Sequence, residues 1–163
     1  MLTIFDPNRR NLKDEQLKAL AKNGGVVCLN FYSAFVDSAY ASKVLKFQIQ
    51  HKVELDSLIR VYHDVDLANI RINAMYKTES DKLRPPLELL TKHIDYIVKL
   101  IGVDYVGIGS DFDGAESYPL GLDSVADYPK ITEELLKLGY KQKDIDKVLG
   151  GNVMRVLAAN TGK

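Results

Sequence analysis

Two short apolar segments, residues 26–32 and 105–110, most constrain what this chain can fold into. Each is continuous and rich in β-branched or aromatic side chains, which is typical of strands buried on both faces of a parallel sheet. Stretches with apolar residues at helical spacing precede, separate and follow them. Because parallel strands must be joined by crossovers that are usually helical, the sequence predicts an α/β fold.

The other segments predict helices. Asn11 can cap the first, since its side chain can accept a hydrogen bond from a first-turn amide. Gly102 follows an amphipathic segment and can end it. The predicted helical segments are residues 11–22, 37–80, 87–100, 129–138 and 142–158, the last interrupted near Gly150 and Gly151. The second contains neither glycine nor proline, and we expect one or two long, partly exposed helices there.

Size and charge limit the partners of this chain. It has 163 residues, with 22 Lys and Arg against 22 Asp and Glu, so no net positive field attracts nucleic acid or an anionic membrane. No run approaches the roughly 18 apolar residues of a membrane span, and the first ten residues lack a signal-peptide pattern. We expect a single soluble unit over residues 1–163, and the sequence does not determine its cellular compartment. Cys28, the one cysteine, is predicted to be a buried hydrophobe.

Two carboxylates, Asp111 and Asp113, follow the second predicted strand. Side chains at the carboxyl end of a parallel strand emerge where ligands bind, so Asp111 is a candidate to accept a proton, hold a metal-bound water or pair with an ammonium. Gly107 and Gly109 weaken a strand and indicate close approach of another backbone or a ligand. The alternative is plain turn chemistry, in which Asp side chains bind nearby amides and Gly114 takes a positive φ.

Other site types are disfavoured. A calcium loop starting at Asp111 would need glycine at its sixth position, where Glu116 stands, and no third glycine completes a dinucleotide fingerprint. His51, His63 and His93 are predicted inside helices without ligand partners at i+4, so a structural or solvated role is favoured for each. Arg9 and Arg10 could bind a carboxylate in bidentate fashion, or could simply be solvated.

Several motifs together resemble a known family, the membrane dipeptidases (renal dipeptidases). The resemblance covers nearly the whole chain and is most specific at Gly-Ser-Asp-Phe-Asp-Gly. The motifs are residues 106–114 (VGIGSDFDG), 9–11 (RRN), 24–32 (GGVVCLNFY), 91–97 (TKHIDYI), 120–123 (LGLD), 128–129 (YP) and 151–156 (GNVMRV). Residues 37–80 resemble the helical insertion of the family's bacterial branch.

The resemblance implies a (β/α)8 TIM-type barrel that hydrolyses dipeptides with two zinc ions bridged by a water or hydroxide. Asp111 matches the aspartate at the end of the last barrel strand, which contacts the nucleophilic water and the substrate amine and takes part in proton transfer. Arg10 matches the arginine that pairs with the substrate carboxylate. Phe35 stands where some relatives have tyrosine.

The sequence also departs from the family. The family's zinc ligands, a His-x-Asp pair, a bridging Glu and two later histidines, all precede the arginine, and none is found in this chain. Only two strands are recognisable, whereas a closed barrel needs about 250 residues. We therefore expect the carboxyl-terminal part of an incomplete barrel, inactive alone, whose amino-terminal half is missing or is supplied by another chain or another copy. The alternative is a catalytically inert module for interaction or scaffolding.

Overall fold

The protein is described by a computed structural model covering residues 9–162. The expectation about a signal peptide concerns the first ten residues, of which residues 1–8 lie outside this range. The helices are α1 (Asp14–Lys22), α2 (Ser33–Val36), α3 (Tyr40–Gln50), α4 (Lys52–Tyr62), α5 (Val65–Met75), α6 (Lys77–Ser80), α7 (Leu87–Ile101), α8 (Tyr128–Lys137), α9 (Gln142–Asp146) and α10 (Asn152–Thr161). The strands are β1 (Val27–Asn30) and β2 (Val106–Ser110).

The two strands pair in parallel, as predicted. Val27 is opposite Val106, and the register shifts by one residue between Leu29 and Asn30, so that Asn30 pairs with Ser110. Both strands therefore end at the same edge, where a ligand site of a parallel fold is expected. Within residues 9–162 the sheet has these two strands and no closed barrel.

One face of the sheet forms the core. Val27, Leu29 and Val106 are buried in a single cluster with helical side chains. The helical members include Leu17, Leu90, Ile94, Ile97, Ile131, Leu135 and Ile145. The sulfur-bearing side chain of Cys28 points to the opposite face and is exposed, so its predicted burial is wrong. The reason is the strand alternation: successive side chains face opposite sides, and only one side of β1 is covered by the described residues.

The first helix starts later than predicted, at Asp14. Asn11 is buried, and its Nδ2 donates to the backbone oxygen of Phe35 at 3.2 Å instead of capping the helix. Gln16 Oε1 accepts from the backbone N–H of Lys13 at 2.8 Å. The segment before α1 is thus fastened to α2.

The segment predicted as one or two long helices contains four short ones, α3 to α6. The first break is at His51, whose ring lies 3.8 Å from that of Tyr76 and whose Nε2 is 2.9 Å from Glu79 Oε2. The second is at His63, which takes a left-handed conformation with φ of 52°. His51 and His63 were predicted to lie inside helices, and this prediction is wrong for both. Tertiary contacts and a left-handed residue break the segment without glycine or proline.

The later helices follow the prediction closely. Gly102 ends α7 with φ of 95°, and Gly139 follows α8 with φ of 88°, both values that favour glycine. A π-helical turn, Lys147–Gly151, separates α9 from α10 where Gly150 and Gly151 predicted an interruption. Within residues 9–162, the helices are too short or too polar to cross a membrane.

Candidate active site

The loop after β2 has an unusual backbone. Ser110, Asp111 and Asp113 all have positive φ, at 39°, 72° and 66°. Non-glycine residues in this region each cost of order 1 kcal/mol, so the surrounding structure must hold them there. Tyr118 does part of this, because its hydroxyl donates to the backbone oxygen of Asp111 at 2.9 Å.

Aromatic packing anchors the same loop. The ring of Phe112 makes edge contacts with the rings of Tyr118 and Phe31, at centroid distances of 4.9 Å and 5.9 Å. Phe31 is fully buried directly after β1, and its N–H donates to the Ser110 oxygen at 2.8 Å. Asp111 is therefore held between two fixed neighbours, Ser110 and Phe112.

Asp111 lies at the end of β2, half-buried, as the strand-exit argument predicted. Its Oδ2 accepts a hydrogen bond of 2.6 Å from Nδ2 of Asn30, the last residue of β1. Asn30 was missed from the sequence; it is the last residue of β1 and pairs with Ser110, the residue before Asp111. The predicted strand extended to residue 32, past Asn30, so the strand-exit rule did not point to this residue.

The strand glycines allow close approach, as predicted. A Cβ on Gly107 would lie 3.1 Å from Cys28 Sγ, and one on Gly109 would lie 3.1 Å from Cys28 Cβ and 3.2 Å from the Leu29 oxygen. Both distances are tighter than ordinary contacts. The glycines thus let β2 lie against β1 just before the strands deliver Asn30 and Asp111.

Arg10 is exposed and lies on the ring of Phe35, with 5.0 Å between the guanidinium carbon and the ring centroid. Phe35 in turn packs edge-on against Tyr32 at 5.0 Å. The N–H of Tyr32 donates to Asn30 Oδ1 at 2.7 Å. A continuous series of contacts therefore runs from Arg10 to Asp111.

Two further contacts join the loop to α2. The Tyr32 hydroxyl donates to Glu116 Oε1 at 2.5 Å, and Ser33 Oγ and Ser117 Oγ are 2.8 Å apart. Burial, followed by the Glu116 carboxylate, raises the pKa of Tyr32 far above its usual value, so Tyr32 stays a donor. Neither Tyr32 nor Glu116 was identified from the sequence, because their pairing over 84 residues leaves no local pattern.

A cavity of about 350 Å³ adjoins this loop. Its walls come from α3, α5 and residues 113–116, and include Phe47, Ile70, Asp66, Gly114 and Glu116. The helical segment predicted as an insertion therefore faces the loop that carries Asp111.

The histidines do not form a metal site. His93 is buried in α7, and its Nε2 donates to the Val36 oxygen at 3.0 Å. Burial lowers the pKa of His93 to about 4, so the ring is neutral at ordinary pH. His51 is held by Glu79, and His63 ends α4. No cluster of three His, Cys, Asp or Glu side chains suited to a metal is present among residues 9–162, so these residues do not fit a zinc centre.

Comparison with known proteins identifies the family. The sequence model described as Membrane dipeptidase (Peptidase family M19) matches residues 3–162. This chain belongs to the membrane dipeptidase family. The family match confirms the resemblance drawn from the motifs around Asp111.

Individual relatives agree with this family. The chain is 31% identical over 151 residues to Dipeptidase ataJ of Aspergillus terreus, a match that covers 93% of this chain and 27% of that protein. The fold is similar to the probable dipeptidase PvdM of Pseudomonas aeruginosa, with a TM-score of 0.66 and 26% identity over 94% of this chain and 42% of that one.

A second solved structure has the same fold. It is a metallopeptidase of Rhodobacter sphaeroides bound to a phosphinate mimic of the dipeptide L-Ala-D-Ala, with a TM-score of 0.63 and 24% identity. The match covers 93% of this chain and 32% of that chain. This membrane dipeptidase chain thus spans less than half the length of these relatives.

Proposed function

We propose that this chain is the carboxyl-terminal part of a (β/α)8 barrel that hydrolyses dipeptides, with residues 37–80 as a helical insertion into a single unit. The observation that carries the proposal is the Asp111 carboxylate, fixed by Asn30 where the two parallel strands end. The exit of parallel strands is where barrel enzymes place their catalytic groups. Family membership supplies the reaction class.

In the proposed reaction, Asp111 moves the proton. A water molecule adds to the peptide carbonyl carbon, Asp111 accepts the proton that this water loses, and Asp111 then donates it to the leaving amine nitrogen as the C–N bond breaks. The products are two amino acids, and the carboxylate is regenerated. Such proton transfer by a positioned side chain typically contributes 10²–10⁴-fold in rate.

Arg10 would bind the carboxylate of the dipeptide. Its guanidinium can donate two parallel hydrogen bonds to a carboxylate, and Phe35 beneath it restricts its orientation. Binding the terminal carboxylate would select free dipeptides over longer peptides. The series of contacts through Phe35, Tyr32 and Asn30 would keep the Arg10 guanidinium in a fixed position relative to Asp111.

The zinc ions of the family enzyme would be held elsewhere. Residues 9–162 do not fit a zinc centre, so its ligands would come from polypeptide beyond them, either a preceding segment or another chain. We expect the 163-residue chain alone to be inactive. The open edges of β1 and β2 would pair with the neighbouring strands of the completed barrel.

A chimera tests this proposal. In it, the 163 residues replace the matched region of the Rhodobacter sphaeroides metallopeptidase, the fold relative with a dipeptide mimic bound. The purified chimera, the isolated chain and the parent enzyme are assayed with zinc and L-Ala-D-Ala. We expect hydrolysis by the chimera and parent but none by the isolated chain. Activity of the isolated chain, or a folded, zinc-loaded but inactive chimera, contradicts the proposal.

A further inference from the structure

The two carboxylate oxygens of Asp111 have different surroundings. Oδ2 accepts the 2.6 Å hydrogen bond from Asn30. Oδ1 lies over Gly114, so close that a Cβ on that residue would overlap it. Asn30 therefore holds Oδ2 by a hydrogen bond, while Oδ1 occupies space that is open only because residue 114 has no Cβ.

The Asn30 amide can be oriented in only one way. Its Oδ1 accepts from the backbone N–H of Tyr32 at 2.7 Å, so its Nδ2 must be the group that faces Asp111. A hydrogen bond from an amide N–H to an ionised carboxylate is shorter and stronger than a neutral one. Asn30 therefore restrains the position of one oxygen of the Asp111 carboxylate.

The position of the Asp111 carboxylate requires glycine at residue 114, because a Cβ there would overlap Oδ1. The φ of Gly114 is outside the left-handed region, so its backbone does not require glycine. The three atoms nearest to a Cβ at this position all belong to Asp111, namely Oδ1, Cγ at 3.1 Å and the backbone oxygen at 3.5 Å. Since the first two are at the end of a side chain that can rotate, alanine would displace the carboxylate rather than unfold the protein.

We infer that Asn30 and Gly114 are positioning residues that hold the Asp111 carboxylate in a single orientation, with Oδ2 bound to Asn30 and Oδ1 the oxygen that exchanges the proton. The catalytic part of this inference rests on the proposed function, while the geometric part does not. A misplaced catalytic group loses rate steeply, by up to about 10²-fold for a shift of 1 Å.

The geometric part is tested on the isolated chain by NMR of the Asn30 side-chain NH₂ group. In the wild-type protein we expect one of its protons to resonate downfield because it is bound to Asp111. Gly114→Ala should remove this shift as fully as Asp111→Gly, in which glycine accepts the positive φ at that position. Asp113→Asn, a change in the same loop, should retain it. An unchanged NH₂ signal in folded Gly114→Ala overturns the inference.

The catalytic part is tested in the active chimera. Asn30→Ala and Gly114→Ala should each lower kcat by about 10- to 100-fold while KM changes little. Asn30→Asp should be worse than Asn30→Ala, because two carboxylates would then face each other. If Asp111→Asn abolishes turnover but both positioning variants keep wild-type kcat, the inference is wrong and the proposed function stands. If Asp111→Asn itself keeps kcat, the proposed function is wrong.

Discussion

Arg10 lies on the face of the Phe35 ring, 5.0 Å from its centroid, and Phe35 belongs to α2, the short helix that follows β1 and Asn30. A cation over an aromatic ring at an exposed site gains about 0.5–1 kcal/mol. That gain restricts where the guanidinium points without burying it. Arg10 is thus oriented yet accessible, which suits a group that binds a small anion.

Replacing Arg10 should weaken substrate binding more than turnover. In the chimera we expect Arg10→Ala to raise KM for L-Ala-D-Ala by about 10- to 100-fold, since a hydrogen bond to a charged group contributes about 1.5–3 kcal/mol. Arg10→Lys should be intermediate, because lysine keeps the charge but loses the fork. Arg9→Ala is the control, and an equal effect of both alanine variants would refute the role of Arg10.

The carboxyl-terminal helix is tied to the sheet by Asn152. Its Nδ2 donates to the backbone oxygens of Val103 and Val106, at 2.7 Å and 2.8 Å, and the residue is 2% exposed. Asn152→Ala leaves two carbonyls without this donor, which should lower the free energy of unfolding by about 2–4 kcal/mol. Urea denaturation of the isolated chain measures this.

Asn160 provides the control for Asn152 on the same helix. Its Nδ2 also donates to a backbone oxygen, that of Val156 at 2.8 Å, but the residue is exposed. Asn160→Ala should change the free energy of unfolding by no more than about 0.5 kcal/mol. Equal losses in the two variants would show that Asn152 is not a structural tie.

His93 should make stability depend on pH. Burial lowers its pKa from 6.5 to about 4 in the folded protein. Below pH 6.5 the unfolded chain takes up a proton that folded His93 does not, so stability falls as the pH drops from 6.5 towards 4. Since one pKa unit corresponds to 1.36 kcal/mol, the loss reaches about 3 kcal/mol.

The measurement is urea unfolding of the isolated chain at a series of pH values between 7 and 4. His93→Gln keeps a donor for the Val36 oxygen but cannot titrate, so its stability should fall less over this range than that of the wild type. His63→Asn, at an exposed left-handed position, should follow the wild-type curve. Parallel curves for the wild type and His93→Gln would refute this assignment.

The sequence predicted the elements whose residues decide their own structure. Both strands, α7 with its Gly102 ending, and the interruption near Gly150 were found because apolar pattern and glycine act locally. Asp111 was placed at the end of β2 for the same reason. These features need no knowledge of the rest of the chain.

The errors arose where distant contacts override local preference. Asn11 could cap a helix but binds the Phe35 oxygen instead. His51 follows the end of α3, and its ring packs on that of Tyr76, 25 residues later, between α5 and α6. Cys28 sits in an apolar run, yet its face of the sheet is not covered by residues 9–162. In the candidate site, Asn30 and Glu116 depend on partners more than 80 residues away.

The most direct test of the account is the kcat of the active chimera with Asp111→Asn, compared with Asp113→Asn. Asparagine tolerates the positive φ of both positions and is nearly isosteric with aspartate, so both variants should fold as the wild type does. We expect Asp111→Asn to lower kcat by about 10²–10⁴-fold and Asp113→Asn to leave it near the wild-type value. Retention of wild-type kcat by folded Asp111→Asn would contradict the account.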